Sequence, residues 1–207
     1  MCMSPRRLGN CVCQTFSCTV CARQSVRDNG LMTESWTIRR ATESDRLAVA
    51  TVHVRAWQLA YRGIIPHETL DGMNVTRLAD QYPFDLSESS DPKTLIACRG
   101  DELSGWVVLG PSRDGDEEGF GEIWALNVAP EHWRSGAGSL LMAGAEKLLA
   151  ASGFVEAFLW VLGDNIQGRN FYEAVGWRLD GQGRTIAIGG NDLVEVRYRK
   201  ALPGFNA

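Results

Sequence analysis

The sequence predicts one mixed α/β domain, and three stretches carry that expectation. Residues 154–162 form a nearly continuous apolar run, as expected of a central strand covered on both faces. Just before it, Leu141, Ala145, Leu148 and Leu149 recur at helical spacing across 138–152, and Gly153 follows the last turn. Leu47, Ala50, Val54, Trp57 and Tyr61 repeat with the same period, which predicts a second helix with one buried face. Strand and helix patterns that alternate in this way imply a sheet with helices packed on it. The chain has 207 residues, 44% of them hydrophobic and 22% charged, enough for one ordinary core.

The remaining elements follow in order. Residues 36–40 read as a first strand, and Thr42 with Asp45 three positions on offers a helix start that runs to Arg62-Gly63. Pro66, Asp71-Gly72 and Pro83 break 63–92 into short helices and loops. Residues 95–98 and 103–109 flank the turn at 99–102 as a hairpin, and 111–119 is a polar loop rich in acids and glycine. Residues 122–128 resume as a strand that Pro130 ends. A short helix is expected over 170–175, closed by Gly176, and two last strands near 184–188 and 193–200 flank the turn at 189–192.

The first 31 residues are of another kind. They hold five of the six cysteines, and four arginines against the single acid Asp28, whereas the rest of the chain is acidic and the whole carries a net charge of −4. Cys11, Cys13, Cys18 and Cys21 could offer four thiolates to a metal, but only four residues separate the two pairs and no apolar segment follows to build a small core. The reading adopted is a disordered extension over 1–31, with Met32 as an alternative start, and a domain over 32–207; no metal is expected. Without a signal-peptide apolar stretch, and with Cys98 as the only cysteine of the body, a cytoplasmic protein is expected. No apolar run has the length of a membrane helix, and an acidic body argues against a nucleic-acid partner.

The informative feature is the turn from Val128 to Ser139. Gly136 and Gly138 let the backbone turn tightly beside a ligand, the free N–H groups of the following helix start suit an anion, and Arg134 adds positive charge. A dinucleotide fingerprint is excluded because Leu141 stands where a third glycine would be needed, and the lysine of a P-loop is missing. Alone, this turn reads more simply as a helix entry with a solvated arginine. About thirty residues on comes Asn165, then Asn170-Phe171-Tyr172 and Gly176-Trp177.

Together the two blocks resemble the GNAT superfamily of acyl-CoA-dependent N-acyltransferases. Val128-x-Pro130 with Gly136-x-Gly138 is similar to its first block, and the strand, Asn165, Phe171-Tyr172, Gly176 and Trp177 to its second. Ile38-Arg39-Arg40-Ala41 and the segment from Ala56 to Pro66 are similar to a bacterial branch of it, so the likeness spans about 37–200. One departure is Trp133, which stands where the family has Arg or Gln.

The resemblance implies the GNAT fold, a twisted mixed sheet of six or seven strands with helices on both faces, and acetyl-CoA as acyl donor. It implies contacts to that donor from Leu126, Asn127, Val128, Arg134, Ser135, Gly136, Ala137, Gly138, Ser139 and Asn165. It places the carbonyl-oxygen contact on the Val128 N–H, where the central strand splays from its neighbour, and puts Tyr172 at the general-acid position. The competing reading of Tyr172 is helix-face core beside Phe171, and that of Asn165 an N-cap.

An alkylammonium near pKa 10.4 must lose a proton before it attacks, so a base is needed. Glu122 is the candidate, because a period of two puts it on one face with Trp124, Leu126 and Val128; the alternative is a solvated strand-end glutamate. Trp57, Tyr61 and Arg62 are candidate walls of the acceptor site, or core. The expected reaction is direct acetyl transfer to a small-molecule or peptide amine in a ternary complex; the rival is an acyl-CoA-binding sensor or scaffold without catalysis. Many relatives pair, so a homodimer is an open expectation.

Overall fold

The computed structural model describes residues 35–82, 84, 92–115 and 119–204. The chain divides into Met1–Thr33 and Glu34–Ala207. The expected extension and its five cysteines lie outside the described residues.

Strand β1 (Trp36–Arg40) leads into a 3₁₀ turn at Glu43–Asp45. Asp45 sets this corner, because its carboxylate accepts from the Thr42 N–H at 2.7 Å and from Arg39 at 2.7 and 2.8 Å. The Arg39 hydrogen bond holds the Asp45 carboxyl down at about 2. Helix α1 (Arg46–Ala60) begins only after this turn and buries Val49, Ala50, Val52, Val54 and Ala56. Leu47, expected in the core, lies in its first turn and is 59% exposed.

Short helices α2 (His67–Asp71) and α3 (Val75–Ala79) follow, then the hairpin of β2 (Lys93–Arg99) and β3 (Glu102–Pro111). Next come β4 (Gly121–Val128), α4 (Ala137–Ala151), β5 (Glu156–Leu162), α5 (Ile166–Ala174), β6 (Arg178–Ile188) and β7 (Asn191–Ala201). Helix α5 begins four residues before the expected position, because the Asn165 side chain caps it by accepting from the Gly168 N–H at 2.9 Å.

The seven strands form one sheet in the order β1-β2-β3-β4-β5-β7-β6. Every neighbouring pair is antiparallel except β4 and β5. On the α4 face, Val107, Leu109, Ile123, Leu159 and Val161 pack with Leu141, Met142, Ala145 and Leu149. On the α1 face, Val49 and Val52 pack with Ile96, Cys98, Trp106 and Ala129. Cys98 is thus a small buried apolar side chain, as read from the sequence, and burial pushes its thiol pKa up.

Helix α4 is also tied to the sheet by a polar contact. The buried Glu146 carboxylate accepts from the Trp177 indole at 2.9 Å and from Lys200 at 2.7 and 2.8 Å. The lysine and indole donors offset the desolvation of that buried charge.

Two features of the sheet position the functional site. The parallel ladder of β4 and β5 has only three pairs, from Gly121 opposite Ala157 to Ile123 opposite Leu159. Beyond it β4 continues on β3 alone and β5 on β7 alone, so the sheet opens at its centre. A bulge lies at the point of parting: Val108 faces Ala125 and Leu109 faces Ile123, which leaves Trp124 as the extra residue. Bulges kink a strand and change its alternation. Leu126 and Val128 therefore pack with Ile123 on the α4 side, while Glu122 lies on the other face. The expected common face of Glu122, Trp124, Leu126 and Val128 is overturned by this one inserted residue.

Candidate active site

The parting of β4 and β5 creates a cleft of about 750 Å³. It is walled by α1, the free half of β4, the loop before α4, the first turn of α4, β5, α5, and one residue of β7. Leu126, Asn127, Val128, Arg134, Gly136, Gly138, Ser139, Asn165 and Tyr172 all line it. Ser135 and Ala137 do not: Ser135 turns its hydroxyl back to the His132 carbonyl at 2.6 Å, and Ala137 is fully buried. Glu122 lies outside the lining as well.

One end of the cleft presents backbone amides without helical partners. The first helical bond of α4 runs from the Leu140 N–H to the Gly136 carbonyl at 3.0 Å, so the amides of Ala137, Gly138 and Ser139 have no helical acceptor. Gly136, at φ +94°, turns the chain into the helix, and Arg134 is the one non-glycine with positive φ (61°) among the described residues. Backbone held in this conformation costs an L-residue about 1–2 kcal/mol and turns successive N–H groups toward one side. Gly138 lets α5 approach, since a Cβ there would stand 3.3 Å from the Phe171 ring.

The middle of the cleft exposes strand backbone. The Ala129 N–H donates to the Ser104 carbonyl at 2.8 Å, toward β3. By strand alternation, the N–H and C=O groups of Leu126 and Val128 point the opposite way, to the side that β5 has left. Trp133 takes one of them, its indole N–H donating to the Val128 carbonyl at 2.8 Å. The departure noted at Trp133 thus serves as a clamp between the anion-binding loop and β4. The Val128 N–H has no partner among the described residues.

Tyr172 faces this backbone from α5. Its ring packs edge-on to Phe171 at 5.4 Å and lies 6.1 Å from the Tyr198 ring, yet its hydroxyl has no hydrogen-bond partner among the described residues. Burial, then the nearby Tyr61, raise its pKa, so the phenol carries its proton throughout the ordinary pH range. The ring is packed, as the core reading expects, and the hydroxyl has no bond among the described residues that would occupy it.

The far end is aromatic. Trp57 and Tyr61 of α1, Trp124 of β4 and Trp160 of β5 line it. Trp57 and Tyr61 also pack on the buried Ile65 and Leu70, so their core and wall readings coincide. Arg62 is exposed and does not line the cleft. Arg113 stacks 4.6 Å from the Trp124 ring and Arg184 4.3 Å from the Trp160 ring. Glu122 is 1% exposed, and both its oxygens are bound by Arg113 through the backbone N–H at 2.8 Å and the guanidinium. Among the described residues the one carboxylate on the cleft wall is Glu195 of β7, which the sequence did not single out. Its only sequence signal is a charge between Val194 and Val196 in an alternating strand.

The match to known proteins agrees with this architecture. The model of the Acetyltransferase (GNAT) family matches residues 54–177, which run from the second half of α1 through the parted strands and the glycine turn to the end of α5. The chain belongs to the GNAT acetyltransferase family. An uncharacterized N-acetyltransferase of Bacillus subtilis, YuaI, is 32% identical over 62% of this chain and 73% of its own. The probable N-acetyltransferase Rv2775 of Mycobacterium tuberculosis is 29% identical over 81% of this chain and 96% of its own. Among solved structures, the PaiA N-acetyltransferase of Thermoplasma acidophilum, crystallised with coenzyme A, has the same fold, with a TM-score of 0.63 at 23% identity over 81% of this chain and 99% of its own. The expected GNAT fold is thus the fold observed, at the upper of the two strand counts. Among the described residues no helix is long and apolar enough to cross a membrane.

Proposed function

We propose that this GNAT protein transfers the acetyl group of acetyl-CoA to an amine by direct attack within a ternary complex. The observation that carries this reading is the continuity of one cleft from unpaired amides at the α4 start, through the unpaired Val128 N–H, to the free Tyr172 hydroxyl. Those are the three kinds of group the reaction requires.

The amides of Gly138 and Ser139, with Arg134 beside them, hold the diphosphate. The free edge of β4 at Leu126 and Val128 receives the amide-bearing pantetheine arm as a neighbouring strand would. Asn127 and Asn165 border the same path, and Ser135 and Ala137 act by shaping the turn. The Val128 N–H donates to the thioester oxygen, where negative charge grows as the nitrogen attacks, and such donors are worth about 2.7–4 kcal/mol. Tyr172 donates its phenolic proton to the departing sulfur, whose thiol pKa is near 8.5. The acceptor enters from the aromatic end, and at pH 7 loss of its ammonium proton costs roughly 4–5 kcal/mol.

The decisive experiment measures coenzyme A binding by calorimetry and thiol release from acetyl-CoA across a panel of primary amines. Binding together with amine-dependent thiol release is expected. Tight binding without turnover on any amine would instead favour a sensor or scaffold.

A further inference from the structure

We propose that the aromatic end of the cleft takes a compact amine with one positive charge and that Glu195 removes its proton. This deepens the acetyl-transfer reading and rests on it.

Glu195 is the only acidic residue lining the cleft among the described residues. Arg184 Nε donates to its Oε2 at 2.7 Å, and its Oε1 has no partner among the described residues. One oxygen is therefore held in place and the other is available. It stands opposite Leu162, at the strand end that leads to Asn165 and α5, and shares the cleft wall with Tyr61 and Tyr172. Glu122 lacks these properties, because Arg113 engages both its oxygens and it is withdrawn from the wall. His132, the other titratable group able to accept a proton from the lining, lies 3.4 Å from Glu102 beside Trp133 and Arg134, at the anion-binding end.

The charge balance points to a cation. Among the described residues, Arg113 and Arg184 face three carboxylates: Glu122, Asp114 and Glu195. Within this group one negative charge is left over, and the surrounding walls are indole and phenol rings. That combination suits a single ammonium on an apolar or aromatic body, while a second positive charge on the acceptor would meet no further carboxylate on the described wall.

The step balances as follows. One ammonium proton passes to Glu195 Oε1, and the freed nitrogen pair forms the C–N bond. The C–S bond then breaks as Tyr172 gives its proton to sulfur and recovers one from the nitrogen. Glu195 releases its proton to solvent, so one proton is set free per amide formed.

The test compares phenethylamine, an ammonium at pH 7, with phenylhydrazine, whose terminal nitrogen is already unprotonated there. Glu195→Gln is expected to lower kcat/KM about thirtyfold or more for phenethylamine. For phenylhydrazine the loss stays within about threefold, and coenzyme A affinity is unchanged. Glu195→Asp, which keeps the carboxylate, recovers most of the phenethylamine rate. Equal losses for both acceptors, or no loss for either, would overturn the proposal. So would loss of coenzyme A binding in both variants, which would leave Glu195 a structural partner of Arg184. A wild-type protein that binds coenzyme A but acetylates neither probe would also overturn it while leaving the acetyl-transfer reading intact; failure of the wild type to bind coenzyme A would defeat that underlying reading itself.

Discussion

Tyr172→Phe lowers kcat for acetyl transfer about a thousandfold and leaves the coenzyme A Kd within about twofold. The substitution removes one oxygen and keeps the ring, so its packing against Phe171 and Tyr198 survives and stability changes little. That oxygen has no protein partner to lose among the described residues. What disappears is the proton donor for the leaving sulfur, and a thiolate must then depart unprotonated. Because the thiol pKa is near 8.5, the deficit shrinks as pH rises above that value, where departure as the anion is no longer penalised. Burial keeps the wild-type phenol protonated across the same window, so its own titration does not mimic the effect. Thiol release followed from pH 6.5 to 9.5 checks the result. A kcat within about threefold of wild type would assign protonation of sulfur to another group.

The second large effect is on affinity. Gly136 has φ +94° and open space beside its Cα, and Asn and Asp are the side chains that tolerate this backbone best. Gly136→Asn therefore keeps the turn and changes the coenzyme A Kd less than about fivefold. Gly136→Asp keeps the same shape but sets a carboxylate at the cradle. Unit charges 4 Å apart interact by about 1 kcal/mol in water and about 4 at an effective dielectric of 20. Against a diphosphate this predicts a Kd about a hundredfold weaker, with the deficit narrowing as salt is added. Equal affinities for the Asn and Asp variants would mean that no anion sits at the start of α4.

Much of this architecture was legible because its signals are local. The apolar run of β5, the helical repeat of α4 and the glycine turn each lie within about a dozen residues, and the structure holds all three near the expected bounds. Features set by distant segments were not legible. No residue type announces the bulge at Trp124, which arises from how β3 and β4 meet, and it moves Glu122 off the face of Leu126 and Val128. The partner of Glu122, Arg113, comes from the polar loop, whose course the sequence leaves open. Leu47 has the helical spacing of the core residues but lies in the first turn of α1, where the sheet does not cover it. Glu195 reaches the cleft only because β7 pairs with β5, so Glu195 stands opposite Leu162 at the strand end that leads to Asn165 and α5.

The central claim is that the gap between β4 and β5 and the start of α4 form one binding path for coenzyme A. A crystal structure of the protein soaked with coenzyme A tests it most directly. The account predicts the diphosphate within hydrogen-bond distance of the Gly138 and Ser139 amides, the pantetheine arm along Leu126 to Val128, and the sulfur within reach of the Tyr172 hydroxyl. Coenzyme A bound elsewhere, or a β4 edge closed by the protein's own backbone, would contradict it.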